Sequence, residues 1–155
     1  MNDASVIGKI IITGKLILRS PLLIGDGAGE DFENTRDIHV LKNQDGTPFI
    51  PGTSLCGVLR EYMAAVEPDM ITPIFGDADS MQSSLQLEDI ALENAEIVFR
   101  DGVRIDGDTG IGVAGGKYDY EAVERGAHGT LKMILTLRAY HDLDEIKDII
   151  ARLLK

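Results

Sequence analysis

A polar loop that opens directly into a helix is the part of this 155-residue chain best suited to chemistry. Residues 37–60 read DIHVLKNQDGTPFIPGTSLCGVLR, with Gly52, Thr53 and Ser54 at the expected helix start and Arg60 beyond it. The first N–H groups of a helix lack intrahelical partners, and its positive dipole end attracts anions. These residues therefore suit a phosphate, although ordinary helix capping explains them equally well.

Carboxylates crowd the loop that precedes this block. Asp26, Glu30, Asp31, Glu33 and Asp37 fall within twelve residues of sequence. A carboxylate in such a place can bind Mg²⁺, or orient a ribose 2′-hydroxyl for attack on the adjacent phosphate. The alternative interpretation is a solvated acidic loop. No organic cofactor is indicated.

Composition predicts one cytoplasmic domain spanning residues 1–155. The chain is 44% hydrophobic, which is enough for a real core, and its single cysteine favours a reducing compartment. No apolar run reaches the roughly 18 residues that predict a membrane helix. The net charge of −11 argues against nonspecific binding of polyanions by the whole surface.

Hydrophobic periodicity predicts the elements that position these groups. The apolar stripe of the first helix, capped by Thr53 or Ser54 and closed by Pro68, comprises Leu55, Val58, Leu59, Tyr62, Met63 and Val66. Strands are predicted at Val6–Leu18, Leu85–Leu92, Glu96–Arg100 and Thr130–Tyr140, and Asp142 with Glu145 forms a capping box for a last helix.

This order is that of an α+β, ferredoxin-like (RRM-like) β-α-β-β-α unit with long loop insertions. Its final strand is apparently missing, because the chain stops as the second helix ends. In the usual strand order 4-1-3-2, that omission exposes one edge of the first strand. We therefore expect a C-terminally incomplete domain, or a partner segment that completes the sheet.

Two groups of basic and aromatic residues are candidates for RNA contacts. The cations of the acid-free first and last strands would share one sheet face if those strands pair: Lys9, Lys15, Arg19, Lys132 and Arg138. A polar exterior of the sheet is the alternative. Residues 102–129 are Gly-rich and predict a long β-hairpin excursion, with the second group on it or beside it: Arg100, Arg104, Lys117, Tyr118 and Arg125. A tyrosine in a hairpin also packs on its own neighbours.

Three ordered blocks resemble the RAMP superfamily, specifically the backbone subunits of Csm- and Cmr-type CRISPR type III effector complexes. The blocks are Leu23–Gly27, then Pro48–Leu55 with Gly57 and Arg60, and then Arg100–Asp106 with Thr109, Gly110, Tyr118, Glu121 and Gly126. The family usually has lysine where this chain has Cys56.

The resemblance implies an RRM-like palm, a thumb at about residues 102–129, and assembly with copies of itself and other subunits along guide RNA. In the family, a loop aspartate cleaves target RNA with a divalent metal. Position before the Pro48–Leu55 block matches it to Asp37, with Asp31 and Asp26 as runners-up.

The leading hypothesis is therefore a type III effector subunit in antiviral defence that binds guide RNA and, as a metal-dependent endoribonuclease, cleaves target RNA. One alternative is a non-catalytic RNA-binding scaffold subunit. Another is an acidic protein-interaction domain without an RNA role.

Overall fold

The computed structural model describes residues 5–25, 38–79 and 81–153. Their α+β composition confirms the predicted fold class. The strands are β1 (Val6–Ile17), β2 (Phe49–Ile50), β3 (Leu85–Leu87), β4 (Ile90–Ala91), β5 (Ile97–Ile105), β6 (Gly112–Val123) and β7 (His128–Arg138). The helices are α1 (Gly52–Val66), α2 (Ile71–Phe75) and α3 (Leu143–Leu153), with a 3-10 turn at Pro68–Met70.

The predicted pairing of the first strand with the strand before the last helix is confirmed. One sheet has the order β1-β7-β3. The Ala139 N–H donates to the Ser5 carbonyl at 3.0 Å, and at the opposite end of β1 the Leu18 N–H donates to the Ala127 carbonyl at 2.8 Å. This order is consistent with the ferredoxin-like arrangement, and completion of the sheet by a further strand stays a prediction.

Helix α1 buries a narrower stripe than the sequence predicts. Met63 is buried, and Cys56 and Leu59 pack against the core that it shares with Ile146 of α3. Val58, however, is 65% exposed. At about 3.6 residues per turn, the buried row through Cys56, Leu59 and Met63 leaves Val58 well to one side. Tyr62 and Val66 are exposed on the same flank.

The predicted start of α1 is also wrong. The helix begins at Gly52, before both predicted caps, and the Glu67 N–H closes it by donating to the Met63 carbonyl at 2.8 Å. The polypeptide then continues into the 3-10 turn and α2, which the sequence did not predict. Both pieces are too short to carry a clear periodic signal.

The predicted strand Leu85–Leu92 is two strands that serve different sheets. Strand β3 pairs with β7, whereas β4 pairs with β2. Between them, the Glu88 N–H donates to the Lys132 carbonyl at 3.1 Å. A single predicted strand therefore conceals a change of partner.

The Gly-rich excursion is a β-hairpin, as predicted, but its arms are the strands β5 and β6 and begin earlier, at Ile97. At its tip, the Asp106 carboxylate accepts the Thr109 N–H at 2.8 Å and the Asp108 N–H at 3.1 Å. These bonds hold the pKa of Asp106 below its ordinary value. The tip is thus a defined turn.

The predicted capping of α3 is confirmed in its N-cap half. The Asp142 carboxylate accepts the Asp144 N–H at 2.9 Å and the Glu145 N–H at 3.2 Å. Ile146 and Ile149 are buried, as their spacing on a helix that packs by one face requires, while Leu143 is 41% exposed.

The chain divides into two compact units. The first comprises residues 1–13, 52–88 and 132–155, and the second comprises residues 14–51 and 89–131. Among the described residues, none of the helices has the length and hydrophobicity needed to cross a membrane.

Candidate nucleic-acid interface

The predicted catalytic carboxylates lie outside the described residues. Asp26, Asp31 and Asp37 all fall within residues 26–37, so their roles stay predictions. Within the described part of the chain, no cluster of three or more His, Cys, Asp or Glu side chains is placed to hold a metal.

The backbone immediately after residue 37 is fixed to the hairpin. The Ile38 N–H donates to the Asp119 carbonyl at 3.1 Å, and the Glu121 N–H donates to the Ile38 carbonyl at 2.8 Å. These two bonds place Ile38 beside β6 as a parallel neighbour of Tyr120. The end of the acidic loop is therefore anchored.

Glu121 is the second anchor of this segment. Its buried carboxylate accepts the Val40 N–H at 3.0 Å and lies 3.4 Å from both His39 Nδ1 and Lys42 Nζ. Burial by itself raises the pKa of Glu121, but the Val40 N–H, His39 and Lys42 outweigh it and lower the pKa below the ordinary value. The charged form is thus the one that this environment stabilises.

Sequence reasoning missed this cluster because its members are about eighty residues apart in the chain. The only local signal was an acidic residue between Tyr120 and Ala122 in an apolar stretch of strand. That signal does not identify the partners.

The helix start borders a groove in the first unit. Thr53, Ser54 and Arg60 are exposed, as a phosphate contact requires. The groove has a volume of about 540 Å³, and its lining includes Thr53, Cys56, Arg60, Gln82 and Gln86. Burial raises the pKa of the Cys56 thiol despite the nearby Arg60, so the group that replaces the family's lysine is neutral.

Gly52 meets another part of this chain. A Cβ on Gly52 would collide with the Leu87 carbonyl oxygen and lie 2.8 Å from the Leu87 carbonyl carbon. Gly52 therefore allows strand β3 to approach the start of α1 closely.

The predicted sheet cations are divided between the two units. Lys9, Lys132 and Arg138 belong to the first, and Lys15 and Arg19 to the second. Lys9 is exposed, whereas Lys132 forms an ion pair with Glu88 at 2.6 Å. The backbone N–H of Arg138 donates to His141 Nδ1 at 3.0 Å.

The register of the hairpin separates its residues into two faces. Directly opposite residues of an antiparallel pair point to the same side. Arg100 lies opposite Tyr120, and Gly102 lies opposite Tyr118. A Cβ added to Gly116 would lie 3.1 Å from the Cβ of Arg104, so Arg104 is on the same side as Gly116. We call this side, with Arg100, Gly102, Arg104, Tyr118 and Tyr120, the aromatic face.

The opposite side of the hairpin is what we call the acidic face. Asp101 lies opposite Asp119, Val103 opposite Lys117, and Phe99 opposite Glu121. Lys117 therefore points away from Tyr118, although the sequence grouped them in one RNA-binding set.

A groove of about 560 Å³ runs along the aromatic face, and it is lined by Pro21, Leu23, Arg100, Asp101, Gly102, Tyr118, Tyr120 and Ala122. The two tyrosine ring centroids are 6.1 Å apart. The Tyr118 ring covers Gly102, where a Cβ would lie 2.7 Å from a ring carbon. Tyr118 thus packs on its own strand partner and still borders the groove.

Glu124 interacts with two arginines in different ways. The guanidinium of Arg100, which lines the groove, pairs with Glu124 at 3.1 Å, whereas Arg125 uses its backbone N–H. Arg125 is exposed, and its N–H donates to the Glu124 carboxylate at 2.9 Å. That N–H bond, followed by Arg100, lowers the pKa of Glu124 despite the opposing effect of desolvation. Aromatic rings beside guanidinium groups form the kind of surface on which unstacked RNA bases bind.

Comparison with known proteins gives one family and one fold. The RAMP superfamily model matches residues 15–155. A chain in the cryo-EM structure of type III-B Cmr-beta bound to cognate target RNA superposes with a TM-score of 0.66 at 14% identity, over 92% of this chain and 50% of that one. A chain in the apo-state structure of type III-B Cmr-beta gives a TM-score of 0.67 at 12% identity, over 92% of this chain and 89% of that one.

The present chain therefore spans about half the length of the first of these neighbours. At such identities the likeness shows a shared fold. The search of curated proteins returned no match.

Proposed function

Since this chain belongs to the RAMP superfamily, we propose that it is a guide-RNA-binding subunit of a type III CRISPR effector ribonucleoprotein that acts in antiviral defence. The family match over residues 15–155 and the fold shared with Cmr-beta chains support this function. Its partners are guide RNA, target RNA, the other subunits of the complex and further copies of itself.

The aromatic face of the hairpin is the observation that carries the RNA assignment. It combines two tyrosines, two arginines and a groove large enough for a base. Stacking on aromatic side chains tolerates any base, because every base has a π-face. A subunit that must accept guides of different sequence requires that kind of contact.

The helix start supplies a second RNA contact in this proposal. Thr53 and Ser54 lie in the first turn of α1, and Arg60 adds a guanidinium on the same helix. Such a site binds the phosphate backbone and reads no sequence. Gly52 serves it indirectly, by letting β3 pack against the start of the helix.

Target cleavage by Asp37 is the catalytic form of the proposal, and the anchoring of Ile38 and Val40 favours it. In-line attack of a ribose 2′-oxygen on the adjacent phosphorus breaks the bond to the 5′-oxygen, leaving a 2′,3′-cyclic phosphate and a 5′-hydroxyl. The Asp37 carboxylate would orient the attacking hydroxyl. A divalent metal would be held by carboxylates of residues 26–37, and it would stabilise charge on the phosphate.

Replacing Arg104 and Lys117 one at a time by alanine tests which part of the hairpin meets RNA. Both side chains are exposed and both carry one positive charge. The register places Lys117 on the acidic face, and proximity to Gly116 places Arg104 on the aromatic face. In the assembled complex, Arg104→Ala should weaken guide-RNA binding and reduce the slope of log affinity against log salt by about 0.7, the value for one phosphate contact with a single strand. Lys117→Ala should leave both unchanged, as filter binding at several salt concentrations will show. Equal effects of the two variants would contradict the assignment of the aromatic face.

A further inference from the structure

Two exposed rows of side chains in this protein have complementary patterns. On β1, Lys9 stands between Ile7 and Ile11, which are 56% and 61% exposed. On the acidic face of the hairpin, Asp101 stands between Phe99 and Val103, which are 74% and 50% exposed. Each row is apolar, charged, apolar at every second residue of a strand, so both repeat at about 7 Å.

Within residues 5–25, 38–79 and 81–153, the charged side chains at the centres of these rows, Lys9 and Asp101, have neither a hydrogen-bond partner nor an ion-pair partner. Asp101 also lies directly opposite Asp119 across the hairpin. Like charges in opposite strand positions destabilise a sheet, so a cation brought to Asp101 from elsewhere would be favoured.

The β1 row suits protein better than RNA. Its flanking groups are β-branched aliphatic side chains, which offer no ring on which a base can stack. Exposed aliphatic and aromatic side chains supply apolar area that a protein contact buries. A charge that meets its counter-charge across the contact fixes the register of the two surfaces.

We propose that the acidic face of one copy of this chain docks on the β1 row of a second copy, with Asp101 paired to Lys9 and with Phe99 and Val103 packed on Ile7 and Ile11. The contact is heterologous, since it joins different surfaces of the two copies. It rests on the proposed assembly of the subunit with copies of itself, and it names the surfaces that meet.

Charge reversal with rescue tests this docking on the 155-residue chain. Lys9→Glu and Asp101→Lys should each weaken self-association on the order of tenfold, as measured by sedimentation velocity at low salt. The double variant should restore association, because the two positions again carry opposite charges, with the signs exchanged. The matched control reverses two exposed charges on α3, Lys147→Glu with Asp148→Lys, and should associate like the original chain.

Self-association that survives both single reversals, or that the double variant fails to restore, would overturn the docking. A chain that is monomeric without substitution would overturn it as well. If Lys9→Glu lowers guide-RNA affinity of the assembled complex and leaves self-association intact, RNA covers the β1 row and the inference is wrong. Failure of the proposed function has a different signature: the unsubstituted complex would not bind guide RNA. Failure of the docking alone leaves guide-RNA binding by the unsubstituted complex intact.

Discussion

Replacing Asp37 by alanine is expected to slow target-RNA cleavage by about 100-fold or more in a complex assembled on guide RNA. Target binding should be unchanged, because base pairing with the guide does not involve the carboxylate. The expected loss reflects removal of the group that orients the 2′-hydroxyl. Quantifying uncleaved target and the cyclic-phosphate product over time measures it.

Asp45→Ala is the matched control for that experiment. Asp45 is an exposed loop carboxylate, and it accepts the Thr47 N–H at 2.9 Å within its own turn. Cleavage at the original rate is expected for this variant. If Asp37→Ala also cleaves at the original rate, the catalytic assignment is wrong and the scaffold alternative stands. Loss of activity in Asp31→Ala or Asp26→Ala instead would move the role to that residue.

Gly52→Ala should destabilise the protein by about 1–3 kcal/mol or more, the range for overpacked positions. The added Cβ would meet the Leu87 carbonyl, and a backbone carbonyl in a strand cannot move aside as a flexible side chain can. The unfolding midpoint in denaturant, with the slope checked for constancy, reports the change.

Gly57→Ala provides the control on the same helix. No atom lies within 4 Å of a Cβ at that position, so alanine is expected to stabilise α1 by roughly 0.5–1 kcal/mol. A Gly52→Ala protein as stable as the original, yet weaker in RNA binding, would mean that the glycine serves the ligand and not the packing of β3.

The long elements with strong periodicity were predictable from sequence. Strand β7 alternates buried Met133, Leu135 and Leu137 with less buried neighbours, and α3 buries Ile146 and Ile149 as its spacing indicates. Each of these patterns persists for at least two turns or six strand residues. Local sequence therefore determines both the element and its inward face.

Features that depend on a partner could not be predicted. Val58 is as apolar as Leu59, but the neighbouring elements cover only one flank of α1. The change of sheet at Glu88 also depends on neighbouring elements. The spacing of apolar residues indicates burial, and it does not identify the strand that pairs with them. Glu121 finds its donors about eighty residues away.

The candidate RNA site was predicted as a region but not as a surface. Arg100, Arg104, Lys117 and Tyr118 were identified by type, while the hairpin register decided that Lys117 faces the other way. A shift of one residue in register would reverse that assignment. Among the carboxylates of residues 26–37, Asp37 was singled out by the resemblance.

The salt dependence of guide-RNA affinity in the assembled complex tests the central claim most directly. With a net charge of −11, the chain as a whole repels RNA, so affinity must come from a few local phosphate contacts. Each contact with a single strand contributes about −0.7 to the slope of log affinity against log salt. We predict a contribution from this subunit of about −2 or steeper, for at least three phosphates. A complex whose affinity and slope are the same with and without this chain would contradict the proposed function.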